Sequence, residues 1–328
     1  SDPQIRSLVL YPAELRAPAR AIRPQDDRPS VRLVYRQARR LAIAPQHLPQ
    51  RSIFTRFEVQ EQTAFAMDSF RSNGVEIAFA DYRPTGPDKQ APILLIHGFA
   101  STHAVNWLFT QWIKTLTEDG RRVVIFDNRG HGQSEKLYDP ALYSLEAMAD
   151  DANALLDHLA IPRADVMGYS MGARIAITLA VTHPEKVNHL ILGGVGDHLL
   201  REPGLPSGLA EAMEAENIED IGPPMLKIFR GFAESTRSDL KALAACVRGF
   251  RKTMDPATLA RVAQPVLICV GTRDDVAGDP HPLQPLFRQA EVVDIPGRDH
   301  NRAVGDRVYK QAVLSFLAGE SVAPRADG

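Results

Sequence analysis

Short, wholly apolar runs alternate along the chain with longer stretches whose apolar residues return every three or four positions. Pro92-Ile-Leu-Leu-Ile96, Arg122-Val-Val-Ile-Phe126, His189-Leu-Ile-Leu-Gly193, Val266 to Gly271 and Glu291-Val-Val-Asp-Ile295 read as strands. Such runs suit strands covered on both faces, hence a mostly parallel sheet. Between them the spacing predicts a helix over 106–117, burying Leu108, Phe109, Trp112, Ile113 and Leu116 and stopped by Gly120. A second is expected over 144–159, with Ser144 as N-cap and Leu145, Met148, Ala152, Leu155 and Leu159 facing inward. A helix near 283–289 and a last one over 307–317, ended by Gly319, follow. Ahead of all these, Asn73-Gly74 separates two short runs, 69–72 and 75–80, and predicts a hairpin at an antiparallel edge.

The rhythm breaks over 197–264. Helix-like pieces at 208–216, 225–232 and 238–248 are punctuated by Pro203, Pro206, Pro223 and Pro224, and no strand pattern is evident. This stretch is expected to be a helical cap over the C-terminal edge of the sheet, where open α/β sheets bind ligands. The core would then comprise 67–196 and 265–319, with 320–328 as a tail. The first 66 residues differ in kind: eleven arginines and seven prolines, with no lysine, glycine or methionine. They suit an extension outside the core fold better than an Arg-rich targeting segment or a packed arm.

Composition narrows the function. With 44% hydrophobic residues and a net charge of −2, the chain has material for a large core and no basic field for nucleic acid. Neither apolar runs of spanning length nor a secretory segment appear, so no membrane partner is expected and a cytoplasmic setting is the default. Cys269 lies in an apolar strand and Cys246 far from it, which favours reduced thiols over a disulfide. No metal-ligand spacing or phosphate-cradling loop calls for a cofactor or metal.

The chemistry centres on Gly168-Tyr169-Ser170-Met171-Gly172, a G-x-S-x-G sequence between an apolar strand and a helix in which Met171, Ile175 and Leu179 share a face. A strand passing directly into a helix forces Ser170 into a tight turn, and glycines two residues either side remove the collisions. The exposed hydroxyl would sit before the free N–H groups of the helix. A serine that merely caps a helix gives the same local pattern. His97-Gly98-Phe99-Ala100 follows another strand, so the Phe99 and Met171 amides could form an oxyanion hole; a plain strand-to-loop turn is the alternative. Asp274 and His300 each lie just past a strand end, on the same edge as Ser170.

These residues, with Asp127-Asn-Arg-Gly-His-Gly-Gln-Ser134, resemble the α/β-hydrolase superfamily over nearly everything after Met67, and most closely its serine esterases and lactonases with a helical cap. The resemblance implies an eight-stranded, mostly parallel sheet with helices on both faces. It also implies a triad of Ser170 as nucleophile, His300 as general base and acid, and Asp274 as orienting acid. Ala173 stands where many relatives carry a second glycine. Asp197 and Asp275 are competing acids, but the third position after Gly271 favours Asp274. Asp127, Arg129 and His131 would brace the edge, and His183 and His189 are expected to be structural.

Trp107, Met225, Phe229 and Phe232 could line an acyl pocket, although their spacing suits core equally. Arg230, Arg237, Arg248 and Arg251 could hold a carboxylate or simply face water. The implied activity is cleavage of a small-molecule carboxylic ester through an acyl-enzyme. Lactones, thioesters and C–C bonds stay open on the same triad, and so does the oligomeric state. From another class, a ligand sensor with negligible turnover would keep the same fold.

Overall fold

A computed structural model describes residues 67–322, except 85, 88, 89, 202–204 and 252. The expectations for 1–66 and for most of the tail fall outside the described residues. One eight-stranded sheet runs β1 (Asp68–Ser72), β2 (Val75–Tyr82), β4 (Val123–Phe126), β3 (Ile93–Ile96), β5 (Ala164–Tyr169), β6 (Val187–Gly193), β7 (Val266–Gly271) and β8 (Ala290–Ile295). β2 pairs antiparallel with β1 and β4; all the other pairings are parallel. Asn73 and Gly74, both at positive φ (48° and 86°), close the β1–β2 hairpin, as their pairing predicted.

The continuous apolar strands are explained by two cores. Leu94, Ile96, Val124, Phe126, Val166 and Ile268 point to one face, and their neighbours Ile93, Leu95, Val123, Ile125, Met167 and Leu267 to the other. On the first face pack helices α2 (Leu145–His158) and α3 (Met171–Thr182); on the second pack α1 (Trp112–Glu118) and, at the chain's far end, a helix over Arg307–Leu317. Ser144 Oγ accepts from the Ala147 N–H at 3.0 Å, a cap worth ~1 kcal/mol. Leu159 lies just past α2 and is half-buried rather than fully inward.

Two expected helices are different in fact. Over 106–117 the chain makes a π-helical turn at Ala104–Leu108, breaks at Gln111 (φ 65°), and only then enters α1. The break leaves Phe109 50% exposed instead of buried. Near 283–289 a 3-10 turn, His281–Leu286, replaces an α-helix, because Pro282 and Pro285 lack the N–H groups that an α-helix requires.

Between β6 and β7 lie helices α4 (Leu209–Glu214), α5 (Pro224–Ser235) and α6 (Leu240–Gly249), whose Leu209, Leu226, Leu243 and Cys246 join the first core. Arg230 fastens α5 to the end of α4, donating to the carbonyls of Ala212, Met213 and Ala215. No helix among the described residues is long and apolar enough to cross a membrane.

Candidate active site

Ser170 sits at φ 56°, ψ −115°, a region that costs a non-glycine residue ~1–3 kcal/mol. Its surroundings hold it there. A Cβ on Gly168 would stand 2.2 Å from Gly172 O, and one on Gly172 only 2.0 Å from Ile96 O. No side chain fits at either place, which is the physical content of the two glycines. The Ser170 N–H donates to Gly193 O at 2.8 Å, tying the elbow to the end of β6. Gly98 lies against the same turn, where a Cβ would come 3.2 Å from Tyr169 O. The Gly98 N–H is held by Asn106 Oδ1 at 3.1 Å, from the π-helical turn. Among the described residues, neither the Phe99 nor the Met171 amide is spent on a backbone carbonyl.

The two loops carrying Asp274 and His300 meet. His300 Nδ1 lies 2.8 Å from Asp274 Oδ2 and 3.0 Å from Oδ1, with the carboxylate fully buried. That carboxylate also accepts from the N–H groups of Val276 (3.1 Å) and Ala277 (2.9 Å), so its direction is fixed by the backbone. An Nδ1–H held in this way leaves Nε2 as the free acceptor of a neutral imidazole. Asp299 caps the short helix His300–Ala303, and Tyr169 Oη donates to His300 O at 2.7 Å. The residue beside the nucleophile thus anchors the histidine loop. The imidazole stands over Gly194, whose Cβ, if present, would be 3.0 Å from His300 Cε1. Among the described residues the imidazole's hydrogen bonds run to Asp274 and not to Ser170.

Asp197 is occupied elsewhere: it accepts from the Asp279 N–H at 3.0 Å and pairs with Arg201. Asp275 is exposed.

Behind the oxyanion loop lies a buried polar cluster. Asp127 accepts from His103 N–H (2.7 Å), from His103 Nδ1 (3.0 Å) and from Gln133 N–H (2.8 Å). Burial alone would raise its pKa, but the His103 hydrogen bond and the nearby imidazoles more than reverse this and hold it below the usual range. His97 donates from Nδ1 to Gly98 O and accepts the Asn128 N–H at Nε2, so it is neutral and clamps two loops. Burial lowers the His97 pKa, and burial followed by the proximity of His97 brings that of His131 down to about 3.

A cavity of about 370 Å³ opens beside Ser170. Of the four aromatic and methionine candidates, Met225 lines it. Trp107 is fully buried in the second core, Phe229 packs edge-on against Phe99 at 6.3 Å, and Phe232 is half-buried against the first core. Arg248 pairs with Glu214 in a fork of two 2.6 Å bonds. Sequence reasoning missed Arg174 and His198, which line the cavity with Ser170. Arg174 was legible: it stands four residues after Ser170, on the same helical face.

Residues 91–247 match the family described as the alpha/beta hydrolase fold. The 3-oxoadipate enol-lactonase 2 of Acinetobacter baylyi is 30% identical over 202 residues, 56% of this chain and 72% of the relative. The 2-hydroxymuconate semialdehyde hydrolase of a Pseudomonas species is 37% identical over 123 residues, covering 37% of this chain and 43% of the relative. Among solved structures, a hydrolase from Pseudomonas aeruginosa superposes with a TM-score of 0.63 at 24% identity, over 77% of this chain and 99% of the other. The chain belongs to the α/β-hydrolase fold family. It is an enzyme of the hydrolase class.

Proposed function

We propose that this hydrolase cleaves a carboxylic ester through an acyl-enzyme formed on Ser170. The observation that carries the reading is the Asp274–His300 pair, 2.8 Å apart, poised at the sheet edge that also presents the strained Ser170. His300 Nε2 takes the Ser170 proton as Oγ attacks the carbonyl carbon. The Phe99 and Met171 amides receive the oxyanion, each such donor contributing about 3–4 kcal/mol in the transition state. The imidazolium, stabilised by Asp274, gives its proton to the departing alkoxide. His300 then deprotonates a water that attacks the acyl carbon, releasing the acid and restoring the serine.

The hydroxyl–imidazole bond need only tighten when substrate binds, as catalytic contacts commonly do. Residues 197–264 act in this reading as the lid, since Leu199, Leu205, Pro206, Ser207 and Met225 close one side of the cavity beside Ser170. The working parts lie within 67–319, in a cytoplasmic setting that keeps both buried thiols reduced.

Lactones and the C–C bonds of dienoic ketones are the second reading on the same residues, favoured by the enol-lactonase and semialdehyde-hydrolase relatives. A panel of p-nitrophenyl acetate and butyrate, a lactone and a thioester tests the proposal. Turnover is expected on at least one, and Ser170→Ala lowers kcat by about 10⁶. No turnover on any of them would favour a ligand sensor on this fold.

A further inference from the structure

The cap does more than cover the cavity; it is bonded to the loop that follows β3. α5 places Met225, near its start, on the cavity wall and ends at Thr236. Thr236 Oγ1 lies 2.9 Å from the carbonyl oxygen of Ala100. Ala100 is fully buried, holds a left-handed backbone (φ 55°) and directly follows Phe99. A buried carbonyl needs a donor. Among the described residues no backbone N–H reaches Ala100 O, and its donors are the hydroxyls of Thr236 and, at 3.5 Å, Ser238. The Thr236 proton has a second acceptor within reach, Ala233 O at 3.0 Å, but that oxygen already takes the Ser238 N–H at 3.0 Å. Ser238 Oγ stands 2.9 Å from Thr236 Oγ1 and backs it with a further hydroxyl.

From Ala100 the bonding runs on toward Ser170. In a planar trans peptide the C=O and N–H point opposite ways, so a group that accepts at one end donates at the other. The peptide that carries the Ala100 carbonyl donates through the Ser101 N–H to Gly98 O at 3.3 Å. The peptide that carries the Gly98 carbonyl ends in the Phe99 N–H. His97 Nδ1 and Asn106 Oδ1 hold this turn from the core side, at Gly98 O and Gly98 N–H. Thr236 holds it from the cap, where Phe229 of α5 also packs on the Phe99 ring.

We propose that Thr236 is a positioning residue for acyl transfer: acting from the cap through two peptide groups, it orients and polarises the Phe99 N–H that receives the oxyanion. The inference rests on the ester-hydrolase proposal above. Hydrogen bonds in series strengthen one another, and most where charge builds at the end of the string. That charge is largest in the transition state, so the hold acts on kcat and leaves KM nearly unchanged.

Thr236→Val keeps the shape and removes the hydroxyl. Deleting an oxyanion donor costs about 10²–10³ in kcat, and a donor left in place but unsupported should forfeit part of that, about tenfold. On p-nitrophenyl butyrate, kcat of Thr236→Val should fall by this factor with KM within about twofold, and Thr236→Ser should recover most of it. A trifluoromethyl alkyl ketone gives a second readout. Ser170 Oγ adds to its carbonyl, His300 takes the proton, and the carbonyl oxygen becomes the oxyanion. Its Ki should rise in Thr236→Val by the factor that kcat loses. Ser235→Ala is the control: its hydroxyl donates to Phe232 O at 2.7 Å within α5, off the string, and its loss should leave kcat unchanged.

A Thr236→Val enzyme that loses Tm but keeps kcat, or whose loss lies in KM, overturns the inference and leaves the hydrolase proposal standing. An equal fall in Ser235→Ala, or no rescue by Thr236→Ser, overturns it too. Should Thr236→Val fail to fold, Ser238→Ala decides: kcat should drop about two- to threefold at constant KM, and an unchanged kcat removes the string. A wild-type protein that neither turns over an ester nor binds the ketone removes the hydrolase proposal, and this inference with it.

Discussion

Gly172 leaves no room for a methyl group, because the nearest atom to its Cβ position is a backbone oxygen that cannot swing aside. Gly172→Ala should therefore cost about 4 kcal/mol or more, read as a loss of denaturation midpoint. Gly74 is a control: it sits at φ +86° with nothing within 4 Å of its Cβ position, so Gly74→Ala should cost only the left-handed penalty of ~1 kcal/mol. The acid offers a parallel contrast. Asp274→Asn should depress kcat by about 10⁴, by analogy with other triads, while Asp197→Asn should lower it far less. Near-normal activity in Asp274→Asn would remove that residue from the proposal. At this scale the sequence was informative wherever a residue type had one physical use, as with Gly168, Gly172 and Ser144. It was silent on Tyr169, whose hydroxyl reaches a loop 131 residues away, because no local pattern encodes such a bond.

Elements built from local rules came through well. α2 begins at its Ser144 cap, the last helix spans Arg307–Leu317, and the hairpin turns at Asn73-Gly74. Where tertiary contacts compete, periodicity misleads. The 106–117 pattern holds an unbroken apolar face, yet Asn106 is drawn to Gly98 and Trp112 Nε1 to Val304 O, and the helix splits between them. At 283–289 the warning was present in Pro285 and outweighed by the apolar count. Element junctions also carry charge. Arg129 ties the loop after β4 to α2 through a fork onto Asp151 (2.7 and 2.8 Å), both groups buried. Arg129→Leu should cost about 3–5 kcal/mol by stranding Asp151, and Arg129→Leu with Asp151→Leu should recover a large part of it. Urea denaturation of the three variants measures both.

Across the whole molecule, the buried imidazoles couple folding to pH. His97 and His131 are neutral when folded and have lowered pKa values, whereas the unfolded chain protonates them near their ordinary value of 6.5. The unfolded state therefore binds more protons below pH 6.5. The stability these groups confer is complete above that value and is lost as pH falls toward about 3. Each ring can add a slope approaching about 1.4 kcal/mol per pH unit. Denaturation midpoints should fall steadily over that window, and His131→Phe should flatten the decline; a flat profile from pH 7 to 4 would contradict the burial account.

The sheet edge that carries Ser170, Asp274 and His300 follows from motifs that the sequence displays at strand ends, whereas the exchange of β3 and β4 in the sheet order appears only in the fold. The proposed relay through those three residues is met most directly by covalent trapping with a p-nitrophenyl alkylphosphonate, its site located by peptide mass spectrometry. The account predicts a single adduct on Ser170 whose rate of formation collapses in His300→Ala. An adduct elsewhere, or one forming as fast without the imidazole, would contradict it.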